Sequence, residues 1–162
     1  MRKTSLLFVF LGAVQFFLMF SAGSAVTNDE MDKIRNKPLP DSGDLAAIDQ
    51  FLAERIEEIL KARDFSAISK VRAAITIRSS SMAESAKALY ARLFSESAYN
   101  HISAGLEKAA TLPAEERRVK VRLNLLILIY ELGDVRLTPL AMKMLDNDNA
   151  LIRYWAVRCI TG

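Results

Sequence analysis

Two arginines occupy matching places in two stretches of the chain. Arg122 follows Val121 and Arg153 follows Ile152, 31 residues further on, and each pair opens an apolar run. Guanidinium groups repeated at such an interval can form a ladder for an acidic ligand. The simpler use is to bond turn carbonyls, or Asp134 and Asp148, in the same or an adjacent repeat, and this use is favoured. Tyr130, Tyr154 and Trp155 lie nearby in sequence. Aromatic residues anchor protein interfaces and equally fill cores. Arg122, Arg153, Tyr154 and Trp155 are therefore the candidate interaction surface.

No catalytic set accompanies them. Ser79-Ser80-Ser81 offers hydroxyl nucleophiles, but local spacing places no His or Lys beside it, and Ser81 with Glu84 fits a helix-capping box. A Ser–His pairing through His101 has nothing in the spacing to support it, and this His is expected on the surface or in a second layer. One His and one Cys are too few for the two-His or four-Cys zinc motifs. The six glycines are scattered, so no loop cradles phosphate. Glu54, Arg55, Glu57, Glu58 and Lys61 read as a solvated helix face rather than paired catalytic carboxylates. Cys159 stands alone, which removes any internal disulfide, and its apolar setting suits a small buried hydrophobe. The expectation is a non-enzyme with no catalytic, cofactor-binding or metal-ligating residue.

These residues must be positioned by helices. Leu45, Ile48, Phe51, Leu52, Ile56, Ile59 and Leu60 recur at three and four across residues 44–62, an amphipathic stripe. Asp64 is placed to cap a second helix over 65–78. The third runs from 82 to 110, with a kink or break expected near Ser97 and a soft point at Gly105. Thr111-Leu112-Pro113 starts the fourth, with Glu115 and Glu116 in the first turn, where the helix dipole favours acids. Its stretch from Leu123 to Leu132 is almost wholly apolar and, at ten residues, too short to span a bilayer. It is expected to be the central helix, closed by Gly133 in the left-handed region. Thr138 and Pro139 open a short helix. Asn149 or Asp148 caps the last, with Leu151-Ile152, Trp155-Ala156 and Cys159-Ile160 facing inward.

The N-terminus carries an export signal in its composition. Arg2-Lys3, the apolar run from Leu6 to Phe20, and Ser21-Ala22-Gly23-Ser24-Ala25 match the three parts of a secretory signal peptide, with cleavage after Ala25. The alternative is an uncleaved anchor, since residues 4–25 reach the length of a spanning helix. A mature chain beginning at Val26 removes that alternative. The formal charge is +3, from 22 basic and 19 acidic residues. Removing residues 1–25 takes Arg2 and Lys3 with it and leaves a nearly neutral chain, which argues against a nucleic-acid partner. Residues 26–43, polar and containing Pro38-Leu39-Pro40, are expected as a flexible linker in which Asn28 or Asp29 can cap one or two helical turns up to Asn36 before Pro38 stops them, and 44–162 as the helical domain.

The period of 31 residues falls where stacked helical repeats are found. Val121-Arg122, Gly133-Asp134, Pro139-Leu140, Asn147-Asp148-Asn149 and Ile152-Arg153-Tyr154-Trp155-Ala156 resemble HEAT-type repeats over residues 115–162. In that family the Arg after the aliphatic residue and the small residue three positions on recur; here they are Arg153 and Ala156, while the first stretch departs from the pattern with Leu125. The resemblance implies an all-α array of stacked antiparallel helical hairpins, an α-solenoid, that binds other proteins and takes no cofactor. The pattern stops partway through a second repeat, without a polar-faced cap. Trp155 and its neighbours are therefore expected to be partly uncovered and open to self-association. The alternatives are a membrane-anchored repeat protein serving an envelope complex, and a piece of a longer repeat array.

Overall fold

Helices begin in this protein where a side chain can take up an amide that the first turn leaves unpaired. The computed structural model describes residues 25–162, so the proposed signal segment of residues 1–25 lies, but for Ala25, outside the described residues. Seven α-helices follow: α1 Asn28–Arg35, α2 Ser42–Lys61, α3 Ile68–Ile77, α4 Lys87–Ala110, α5 Glu115–Leu132, α6 Thr138–Met142 and α7 Ala150–Thr161. Single 3-10 turns precede α4 and α6, and no strand occurs among the described residues. Thr27 with Glu30 and Asp41 with Asp44 form capping boxes at α1 and α2. Asn149 caps α7, accepting from the amides of Leu151 and Ile152. Gly133 ends α5 at φ 59 and ψ 23, the left-handed geometry expected of it.

The expected linker is corrected. Residues 26–36 carry α1, and Val26, Met31 and Ile34 are buried in the core. Long-range polar contacts hold the helix in place. The Arg35 carbonyl accepts from the Met82 amide at 2.9 Å and the Ser81 hydroxyl at 2.7 Å. The Arg78 guanidinium meets Asp32 at 2.7 Å. Pro38 does end the helix early, but two apolar side chains three residues apart suffice once the 79–83 loop grips its end.

That grip also displaces the capping box expected at Ser81. Its hydroxyl bonds the Arg35 carbonyl and takes the Ala83 amide, so it ties a loop to α1 instead of starting α4. Asp64 acts on the amide and hydroxyl of Ser66, and α3 begins later than expected, at Ile68.

Helix α4 runs unbroken for 24 residues through Ser97, where a kink was expected. Ser95, Ser97 and Ala98 are buried, and their small side chains let α4 lie against neighbours. Gly105 does the same more sharply: a Cβ there would stand 2.9 Å from Ile56 Cγ2 and 3.3 Å from Leu125 Cδ1. It is a point of close helix approach rather than a soft spot.

Helix α5 is central, as its composition predicts. Val121, Leu125, Leu126, Leu128 and Ile129 are buried, and it packs on α2, α3, α4, α6 and α7. Full burial of such side chains stabilises the fold by roughly 1.5–3 kcal/mol each. On the other side of the core, α2 supplies Ile48, Phe51, Leu52, Ile56 and Ile59, while α4 supplies Tyr90, Phe94 and Ile102. Tyr90 is fully buried, stacks on Phe94, and donates its hydroxyl to the Arg78 carbonyl at 2.9 Å. Burial pushes its phenol above the ordinary range.

Candidate interaction surface

The residues singled out around α7 are positioned from the backbone outward. Asn149 fixes the start of the helix, and Arg153, one turn in, folds back to donate to the carbonyls of Asn147 at 2.6 Å and Asp148 at 2.9 Å. Its guanidinium thus serves the turn, the simpler of its two expected uses. Arg122, on α5, is half-buried, and its Nε is enclosed without a hydrogen bond. Among the described residues no hydrogen bond joins Arg122 to Arg153, and neither meets a carboxylate within ion-pair distance.

Trp155 is half-buried between two tyrosines. Its ring meets Tyr130 edge-on at 5.8 Å and Tyr154 edge-on at 6.0 Å, arrangements that favour the positive edge of one ring against the negative face of another. Arg158 completes the cluster. It lies 4.9 Å over the Tyr130 ring, and donates to the hydroxyls of Tyr130 at 2.7 Å and Tyr154 at 3.3 Å. The sequence reading did not single out Arg158; its place four residues after Tyr154 on one helix was the available signal.

The inward face of α7 needs correction at both ends. Ile152 and Ala156 are buried and Trp155 and Cys159 half-buried, but Leu151 and Ile160 point to solvent. They belong to an exposed stripe of Leu151, Tyr154, Val157 and Ile160, set three apart, with exposures of 39–52%. Arg153 and Arg158 flank it, and residues 149–162 hold no acidic side chain. Cys159 donates its thiol to the Leu126 carbonyl at 3.1 Å, and burial pushes that thiol up to about 11. A thiol so placed is a poor nucleophile.

Ser, His and Asp do meet elsewhere, in an order that does not suit nucleophilic catalysis. Ser97 Oγ donates to Asp49 Oδ1 at 2.8 Å, and His101 Nε2 lies 2.8 Å from the same oxygen. The carboxylate stands in the middle. A hydrolytic triad requires the imidazole there, between nucleophile and acid. The three residues instead join α2 to α4. Burial works against ionisation of Asp49, but the Ser97 and His101 contacts hold its carboxyl below the usual range.

Ser79 and Ser80 line a separate cleft of about 330 Å³ beside Ser95 and the Asp134–Arg136 ion pair. Ser79 Oγ donates to the Thr76 carbonyl at 2.9 Å, and His101 is not among the lining residues. No group of three or more His, Cys, Asp or Glu side chains gathers for a metal among the described residues. No described helix is long and apolar enough to cross a membrane. The chain matches no family model, no curated protein and no solved structure.

Proposed function

We propose that this protein is an exported, non-enzymatic interaction module built from HEAT-like helical repeats, and that the outer face of α7 is its docking surface. The observation that carries the proposal is the stripe of Leu151, Tyr154, Val157 and Ile160, half exposed on a helix whose opposite side is anchored in the core. Tyr154 and Val157 stand at the middle of the outer face, with Leu151 and Ile160 at its opposite borders, and a large apolar patch exposed in this way marks a site where proteins meet. Beside them, Tyr154, Trp155 and Arg158 form a pre-organised aromatic and cationic cluster, the residue types that dominate binding hot spots.

The repeat reading is supported by the way α5 and α7 meet. Leu126 lies by Cys159 and Tyr130 by Arg158, offsets close to the 31-residue spacing of the two arginine pairs, and the short α6 packs against both helices. Export rests on the leader-like composition of residues 1–25.

Site-specific photo-crosslinking in the producing cell tests the proposal. A photoreactive residue at position 154 or 157 is expected to give discrete adducts of higher mass, and one at exposed Ala73 on α3 is expected to give none. Absence of adducts from α7, or equal adducts from both helices, would overturn it.

A further inference from the structure

The occupant of the α7 face is legible in the rest of the molecule. Resting on the docking role proposed above, we infer that the stripe on α7 seats in the groove between α2 and α4 of a second copy of this chain, head to tail.

The two surfaces complement each other in shape. α7 presents an oblique ridge with Tyr154 and Val157 at its crest and Leu151 and Ile160 at its two ends. The α2–α4 groove, about 400 Å³, is walled by the small residues Ala53 and Ala104, with Gly105, Ile56 and Leu60 at its floor. Large side chains fit between helices where small ones leave room.

They also complement each other in charge. Among the described residues Arg153 bonds backbone carbonyls and Arg158 tyrosine hydroxyls, and neither meets a carboxylate within ion-pair distance. The charged residues that line the groove are Glu54 and Glu57 on α2 and Lys108 on α4. Glu54 accepts from Gln50 through Oε1, and among the described residues no Lys or Arg lies within ion-pair distance of it. Glu57 is shared with Lys61 and Lys108 at 3.2 and 3.4 Å, yet residues 26–61 as a whole carry nine acids against five Lys and Arg. An acidic end and a basic end attract.

Within one copy the surfaces are kept apart, because α7 packs on α5 and α6 while the groove belongs to α2 and α4, with α5 between. A ridge and a groove on different parts of one chain make a heterologous contact, which extends from copy to copy unless a ring closes.

Light scattering on the full chain and two variants tests this. Val157→Asp places a carboxylate in the exposed ridge, and Ala104→Arg places a bulky cation in the exposed groove wall; circular dichroism checks that both keep their helices. The wild-type mass is expected to rise with concentration and to fall as salt screens the contact. Each variant alone is expected to be monomeric. Mixed in equal amounts they are expected to recover a dimer that grows no further, since one retains the groove and the other the ridge. A wild-type monomer at every concentration would overturn the inference, as would an Ala104→Arg variant that associates like wild type, which would mean ridge-to-ridge pairing. If crosslinks to a different protein persist at position 154 in either case, the docking role stands and only the identity of the occupant falls.

Discussion

At the scale of single residues, the Asp49 carboxylate shows how chemistry-bearing side chains are used for structure. It collects Ser97 from one turn of α4 and His101 from the next, so one charged acceptor ties two helices together. Its side chain remains 59% exposed, which limits the gain to about 0.5–1 kcal/mol. Because the folded-state carboxyl titrates below its ordinary value, the gain is present above a pH of about 4 and is lost as pH falls through the depressed value. Asp49→Asn should therefore lower the urea midpoint at neutral pH, and the gap to wild type should narrow in acid. A gap that keeps its size at low pH would assign the effect to shape rather than charge. Counting His and Cys in the sequence was enough to discount zinc motifs. Pairing Ser97, Asp49 and His101 was not legible there, because Asp49 lies about fifty residues from the other two and only the α2–α4 packing brings them together.

At the scale of elements, legibility followed periodicity. Helix α5 and its Gly133 stop could be read because an unbroken apolar run and a left-handed cap are local signals, as is the Asn149 cap of α7. The one or two turns of helix α1 are legible from Asn28 to Asn36, but their burial is not, because Met31 and Ile34 give too short a pattern and the contacts that hold the helix come from Arg78, Ser81 and Met82, far along the chain. The orientation of α7 was half legible. Ile152 and Ala156 follow the inward spacing of four, while Leu151 and Ile160 were adjacent to inward residues and were read with them. Gly105 shows the same limit, since a glycine marks weak helix propensity locally and close packing only in three dimensions. Gly105→Ala discriminates between the two. On propensity alone it should stabilise α4 by up to about 1 kcal/mol. With Ile56 2.9 Å from the added methyl group, overpacking should dominate and destabilise the protein by about 1–3 kcal/mol. Chemical denaturation gives the sign directly.

At the scale of the whole molecule, the question is whether the helices melt together. In an array of repeats each unit touches only its neighbours, and the two ends can lose structure separately. Here α5 contacts helices from both ends of the described chain, packing against α2 and α3 on one side and α6 and α7 on the other. A single buried cluster runs from Val26 to Ile152. Disrupting either end therefore exposes side chains of α5 on which the other end depends. The protein carries one tryptophan, and Trp155 sits against Tyr130 where α7 meets α5, so its fluorescence reports the C-terminal end while far-ultraviolet circular dichroism reports all the helices. The two signals are expected to fall at the same urea concentration, with one slope governing both. Met31→Ala, a truncation at the far end that should cost about 2–4 kcal/mol, should then shift the Trp155 transition as much as the helical one. A Trp155 transition that stays in place while the helical signal moves would mean that α1 and α2 unfold apart from α7, as in loosely coupled repeats. If instead the transitions shift together, the coupling runs through α5, and the ridge on α7 is held rigid by a core that extends back to α1.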